Sequence, residues 1–355
     1  MNLSRKLLSI ATFGLIHRPS AAAAAAAENS TFNPLAGIQQ FPISSYSSGN
    51  MTRLAPVLSI SHGGGPMPVL GDPSHAQITK SLQTKVPQIL RLGTPDAPKA
   101  IVLVTAHWST DKVRISSGAR HELLYDYYGF PDEAYRLKHD APGSPEVAGE
   151  VEKALKEAGI DCVKDAKRGK YAQPIHQVGS FMANRRLEWD HGVFIPMMLI
   201  DPTASVPIVQ LSVLASESPS QSFAIGQALS SLRAQNIAIV GSGFATFHNL
   251  RLMFSGASST PDFKRANTEW SNAVSDAATT KDVVEREKKF EDWRNWPNAY
   301  TMHPRGGAEH FLPLIVCAGA GGETEGRKYA DDFRGVDMWS YYWDGEEGQG
   351  EEQKL

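Results

Sequence analysis

Apolar positions fall in short runs separated by amphipathic stretches from about residue 53 onward. Residues 55–61 (APVLSIS) form a candidate strand, and residues 99–106 (KAIVLVTA) are a continuous β-branched run. Such a run marks a strand buried on both faces. Val113–Ser116, 195–200, 207–213 and 236–240 (NIAIV) read as further strands. Between them lie helical patterns at 79–92, interrupted by Pro87, and at 220–233, 262–293 and 309–318. A sharper helix begins at Ser144-Pro145-Glu146, with a capping hydroxyl, proline in the first turn and an acid beside it. Val147, Val151, Ala154, Leu155 and Ala158 make its apolar face, and Gly159 ends it. Strands alternating with helices predict an α/β fold, with a mostly parallel central sheet covered by helices on both faces. In such sheets the site lies at the C-terminal ends of the strands.

Composition narrows the class. The 355 residues are 41% apolar and 21% charged, with net charge −3. That charge, with no long Lys/Arg run, speaks against nucleic acid and an anionic membrane as partners. Cys162 and Cys317 are too few for a disulfide framework and read as buried apolar filler. Residues 1–50 stand apart: basic, Ser- and Ala-rich, with no acid before Glu28. They read as an organelle presequence or a disordered linker, which gives a mitochondrial expectation with a cytoplasmic alternative. Residues 51–343 then make a single α/β domain, and 344–355 an acidic solvated tail.

The chemistry is in the eleven histidines. His62 follows APVLSIS, His107 follows KAIVLVTA, and His248 follows NIAIVGSGFATF. Each lies just beyond an expected central strand, where imidazoles could share a metal and leave positions open for substrate. The glycines of SHGGGP lack the following Lys-Ser/Thr of a phosphate loop and read as turn and clearance beside a ligand. His191, in WDHGV, is placed as a general acid/base. His303 and His310, in HPRGGAEH, and Tyr128, in the dense YDYYGFP cluster, are candidates for lining a substrate pocket. His17, His75, His121, His139 and His176 share no context and read as surface or ordinary loop residues.

Taken together, SHGGGP, VTAHW, YDYYGFP with Tyr135, APGSPE, DHGVFIPM, GSGFATFHNLR and HPRGGAEHFLPL resemble extradiol ring-cleaving dioxygenases of the DOPA-dioxygenase type, in order, over about residues 55–320. The resemblance implies a class III extradiol enzyme that opens a catechol-type ring with O2. It implies metal ligands at His62, His107 and His248, with His191 as the acid/base or, in some members, a fourth zinc ligand. Fe(II) fits oxygen chemistry, whereas Zn2+ has no redox chemistry and implies a hydrolytic or binding alternative. Two spacings depart from the pattern: four residues separate GSG from His248, and Gly306-Gly307-Ala308 lengthens the last block.

Overall fold

The protein is described from a computed structural model over residues 53–166 and 188–345. The expected presequence and linker, His17, His176 and the tail beyond residue 345 lie outside the described residues. From Arg53 onward the chain forms one compact unit. Asp344, at the start of the expected tail, is buried and pairs with Arg327 Nη1 at 3.3 Å.

The strands are β1 Val57–Ser61, β2 Ala100–Thr110, β3 Val113–Ser116, β4 Glu122–Leu123, β5 Cys162–Asp165, β6 Glu188–Trp189, β7 Ile208–Leu214, β8 Ile237–Gly243, β9 Arg327–Phe333 and β10 Val336–Trp343. Eight of them form one sheet in the order β5-β3-β7-β2-β8-β1-β10-β9, and β4 pairs with β6 alone. Its centre, β7-β2-β8-β1, is parallel throughout. β10 and β9 continue it antiparallel on one side. β8 returns between β1 and β2, so the chain order reverses there, which is where open α/β sheets bind ligands.

The helices are α1 Ala76–Gln83, α2 Lys85–Ile89, α3 Pro145–Glu157, α4 His191–Ile200, α5 Pro219–Leu229, α6 Leu250–Ser255, α7 Pro261–Thr279, α8 Val283–Glu291, α9 Ala299–Met302 and α10 Leu312–Ala320. α3 starts as its sequence dictates: Ser144 Oγ accepts the Val147 N–H at 3.2 Å. Residues 195–200 are not a strand but the second half of α4. Their run is apolar at almost every position, and a buried helix and a buried strand then look alike in sequence. Cys162 and Cys317 are buried free thiols, as expected. Among the described residues no helix is long and apolar enough to cross a membrane.

A buried guanidinium ties α8 to the end of α10. Arg286 is fully buried and donates to five carbonyls: Thr280, Lys281, Ala318, Gly322 and Thr324, at 2.6–3.0 Å. Burial pushes it down to about 10, so it stays charged at neutral pH. Arg286→Met would leave those carbonyls without their donor, at a cost of about 3–5 kcal/mol. A urea midpoint unchanged from wild type would contradict this account of the helix end.

Candidate metal centre

Three central strands deliver the histidines. His62 leaves β1 with its N–H bonded to Gly243 O of β8 at 3.2 Å. His107 is not beyond β2 but inside it, within a bulge: Thr105 pairs with Ser212, and the next pair is Ser109 with Val213. A bulge breaks the strand's alternation and re-aims a side chain. His248 ends the loop that follows β8, its N–H bonded to Met302 O at 3.0 Å.

The rings converge. His107 Nε2 lies 3.4 Å from His62 Nε2 and 3.2 Å from His310 Nε2. The His191 ring centroid is 3.8 Å from that of His107, and His248 stacks on His310 with centroids 3.4 Å apart. Two metal-binding sets emerge among the described residues, each with ligand atoms within 4.8 Å of one another: His62, His107 and His191, and His248, Glu309 and His310. His310, expected only to line a pocket, is thus part of the imidazole cluster.

Hydrogen bonds fix which nitrogen is bare. Pro196, inside α4, has no N–H to offer Gly192 O four residues earlier. The Ser242 hydroxyl donates to that carbonyl instead. Its oxygen must then accept from His62 Nδ1–H, 3.1 Å away, which leaves His62 Nε2 unprotonated. Glu309 Oε1 accepts from His310 Nδ1–H at 3.1 Å, leaving that Nε2 bare as well. Burial first, and neighbouring imidazoles second, hold His62 and His310 well below the usual histidine range. Burial likewise pushes His248 down to about 4. Neutral imidazole is the ligating form. Two nitrogens bound tetrahedrally to one ion at 2.0–2.1 Å stand roughly 3.3–3.4 Å apart. The observed 3.2 and 3.4 Å separations therefore fit a divalent metal between these rings.

His191 differs. Asp126 Oδ1 accepts from its Nδ1 at 2.8 Å and from its backbone N–H at 2.9 Å. Burial lowers its proton affinity, but the Asp126 charge and hydrogen bond outweigh that and leave it raised. Its sequence neighbour Asp190 adds a smaller charge effect and is itself held by Thr105 Oγ1 at 2.7 Å and Gln210 Nε2 at 2.6 Å. Asp126 Oδ2 also lies 3.6 Å from His107 Nδ1. Asp126 escapes a sequence reading because its partner is 65 residues away.

The tyrosines around Asp126 hold it in place. Tyr125, Tyr127 and Tyr135 donate their hydroxyls to the carbonyls of Leu137, Ala134 and Tyr127, at 2.6, 2.6 and 3.3 Å. Tyr128 stands outside this packed group, 45% exposed. In the SHGGGP loop, Gly63 has φ +83°, and a Cβ there would sit 2.3 Å from Pro68 Cγ, so only glycine fits. His75, His121 and His139, read from the sequence as surface or ordinary loop residues, are all buried, with His121 and His139 in loops. His75 Nε2 accepts the Gly64 N–H at 3.0 Å while Nδ1 pairs with Asp72 at 2.9 Å, bracing the loop after His62.

His303 is corrected from pocket wall to brace. It is fully buried among Trp270, Trp293 and Phe311, and its Nε2–H donates to Ala245 O at 2.8 Å. Burial pushes it down to about 3. Above pH 6.5 the ring is neutral in both folded and unfolded chains. Below that the unfolded chain takes up a proton that the folded chain refuses. Stability therefore falls as pH drops, by about 1.4 kcal/mol per pH unit for this one group. Urea titrations should show a loss of at least about 2 kcal/mol between pH 7 and pH 5. A flat profile would contradict the neutral, buried ring.

Comparison with known proteins is consistent with this geometry. The family described as the catalytic LigB subunit of aromatic ring-opening dioxygenase matches residues 56–343. "Dioxygenase tasH" of Hapsidospora irregularis is 48% identical over 304 residues, 82% of this chain and 86% of that protein. "4,5-DOPA dioxygenase extradiol" of Beta vulgaris is 33% identical over 231 residues, 64% of this chain and 75% of that protein. The crystal structure of an uncharacterized Escherichia coli K12 protein superposes with a TM-score of 0.58 at 26% identity, over 82% of this chain and 99% of that one.

Proposed function

We infer that this chain, which belongs to the family of catalytic LigB subunits of aromatic ring-opening dioxygenases, opens a catechol-type ring with O2 in an extradiol reaction at the imidazole cluster. The observation that carries the reading is the convergence of bare Nε2 atoms on His107, at 3.4 Å from His62 and 3.2 Å from His310. His62, His107 and His310, whose Nε2 separations fit one ion, are assigned as ligands of Fe(II), and His248, stacked on His310, completes that edge of the site. Held by these residues, Fe(II) would supply the redox chemistry that ring opening with O2 requires and that Zn2+ lacks.

The chain's own groups do the rest. Ser242 and Glu309 keep the His62 and His310 Nε2 atoms free of protons. His191, with Nδ1–H held by Asp126, presents Nε2 as the atom that takes a proton from a catechol hydroxyl and returns it as the ring opens. Balance is simple: both oxygen atoms enter the product, one bond beside the diol breaks, and no external reductant is consumed.

The test is an oxygen-electrode assay on a panel of catechols after anaerobic loading with Fe(II) or Zn(II). Uptake with iron and none with zinc is the expected pattern. Confirmed iron binding without uptake on any catechol would favour the zinc-bound, hydrolytic or non-catalytic alternative.

A further inference from the structure

The segment from His303 to His310 is gripped from outside by two side chains from distant parts of the chain. Glu217, just after β7, accepts the Ala308 N–H through Oε1 at 2.8 Å and pairs through Oε2 with Arg294 Nη2 at 2.5 Å. Arg294 Nη1 donates to His303 O at 2.9 Å, and its guanidinium lies 3.8 Å over the Trp293 ring. One ion pair thus holds the segment near both ends. Both side chains are mostly shielded, at 18% and 22% exposure, so solvent screens the pair less than a surface one.

The same segment, with the residues just before it, is stitched to the loop carrying His248. Phe244 N–H donates to His310 O at 3.0 Å, His303 Nε2–H to Ala245 O at 2.8 Å, and Asn249 Nδ2 to Thr301 O at 2.9 Å. His248 and His310 are therefore tied to one hydrogen-bonded stretch of chain. Glu217 itself has φ +52°, a left-handed conformation that costs a residue with a Cβ. Glycine would be less strained there, and the Glu217 carboxylate is the group that makes both contacts.

We propose that the Glu217–Arg294 pair is a positioning device that sets His248 and His310 together at the metal centre. The proposal rests on the metal-site reading above, but it concerns geometry rather than the substrate.

Glu217→Gly tests it cleanly, because glycine suits that φ and deletes only the carboxylate. Co(II) is the probe. The variant's melting temperature should fall modestly, because Arg294 and the Ala308 N–H lose their acceptor, so Co(II) binding is read well below it. Its Kd for Co(II) should rise about tenfold, in the range typical of groups that orient metal ligands. The visible Co(II) absorption band should shift, and kcat on a catechol should fall with KM nearly unchanged. Glu217→Gln keeps an acceptor for Ala308 N–H and should lie between; it is read the same way if Glu217→Gly does not fold. An unchanged Co(II) Kd and band in both variants would overturn the proposal, as would a drop in melting temperature alone. Wild-type protein that binds Co(II) but, once iron-loaded, opens no catechol would overturn the ring-opening reading. The Co(II) results would then still decide the role of Glu217. A wild type that binds no Co(II) would overturn both.

Discussion

His107→Ala is expected to empty the metal centre and lower ring opening by on the order of a thousandfold or more. His107 is the shared member of the cluster. Its Nε2 faces His62 at 3.4 Å and His310 at 3.2 Å, and its ring lies against His191. Without it the remaining bare nitrogens no longer close around one point. The side chain is 19% exposed, so little packing is lost and the fold should survive. Metal content by mass spectrometry, read beside oxygen uptake, checks this. A variant with full metal and turnover within tenfold of wild type would remove His107 from the centre.

His191→Ala should behave differently. Loss of a positioned acid/base costs about 10²–10⁴ in turnover. Metal should remain, because His62, His107 and the stacked His248 and His310 are untouched. Asp126→Asn should give a smaller loss, about 10- to 100-fold, since its carboxylate orients His191 rather than reacting. If His191→Ala instead loses its metal, His191 is a ligand, and the proton-transfer role passes to another group.

Much of the fold was legible because parallel central strands carry near-continuous apolar runs, as in the first parts of β2 and β8. Their ends, and so His62 and His248, followed directly. Segment 195–200 misled for the same reason that β2 did not: uniform burial erases the period that separates helix from strand. The site was legible where one residue type recurs in one context. It was hidden where meaning comes from contacts distant in sequence. Asp126 serves His191 across 65 residues, and Ser242 answers a carbonyl freed by Pro196. No local pattern marks either pair. His303 and His310 share one motif, yet one faces tryptophans and the other faces His107. Spacing alone could not assign them opposite sides of the segment. His75 was overlooked because its partner is a backbone N–H, which has no signature in sequence.

The most direct test of the central claim is isotopic. Protein loaded anaerobically with Fe(II) would be given a catechol under ¹⁸O₂, and the product mass measured. The account predicts a ring-opened product carrying two ¹⁸O atoms. A product labelled from water, or no product while iron is bound at the imidazole cluster, would contradict it.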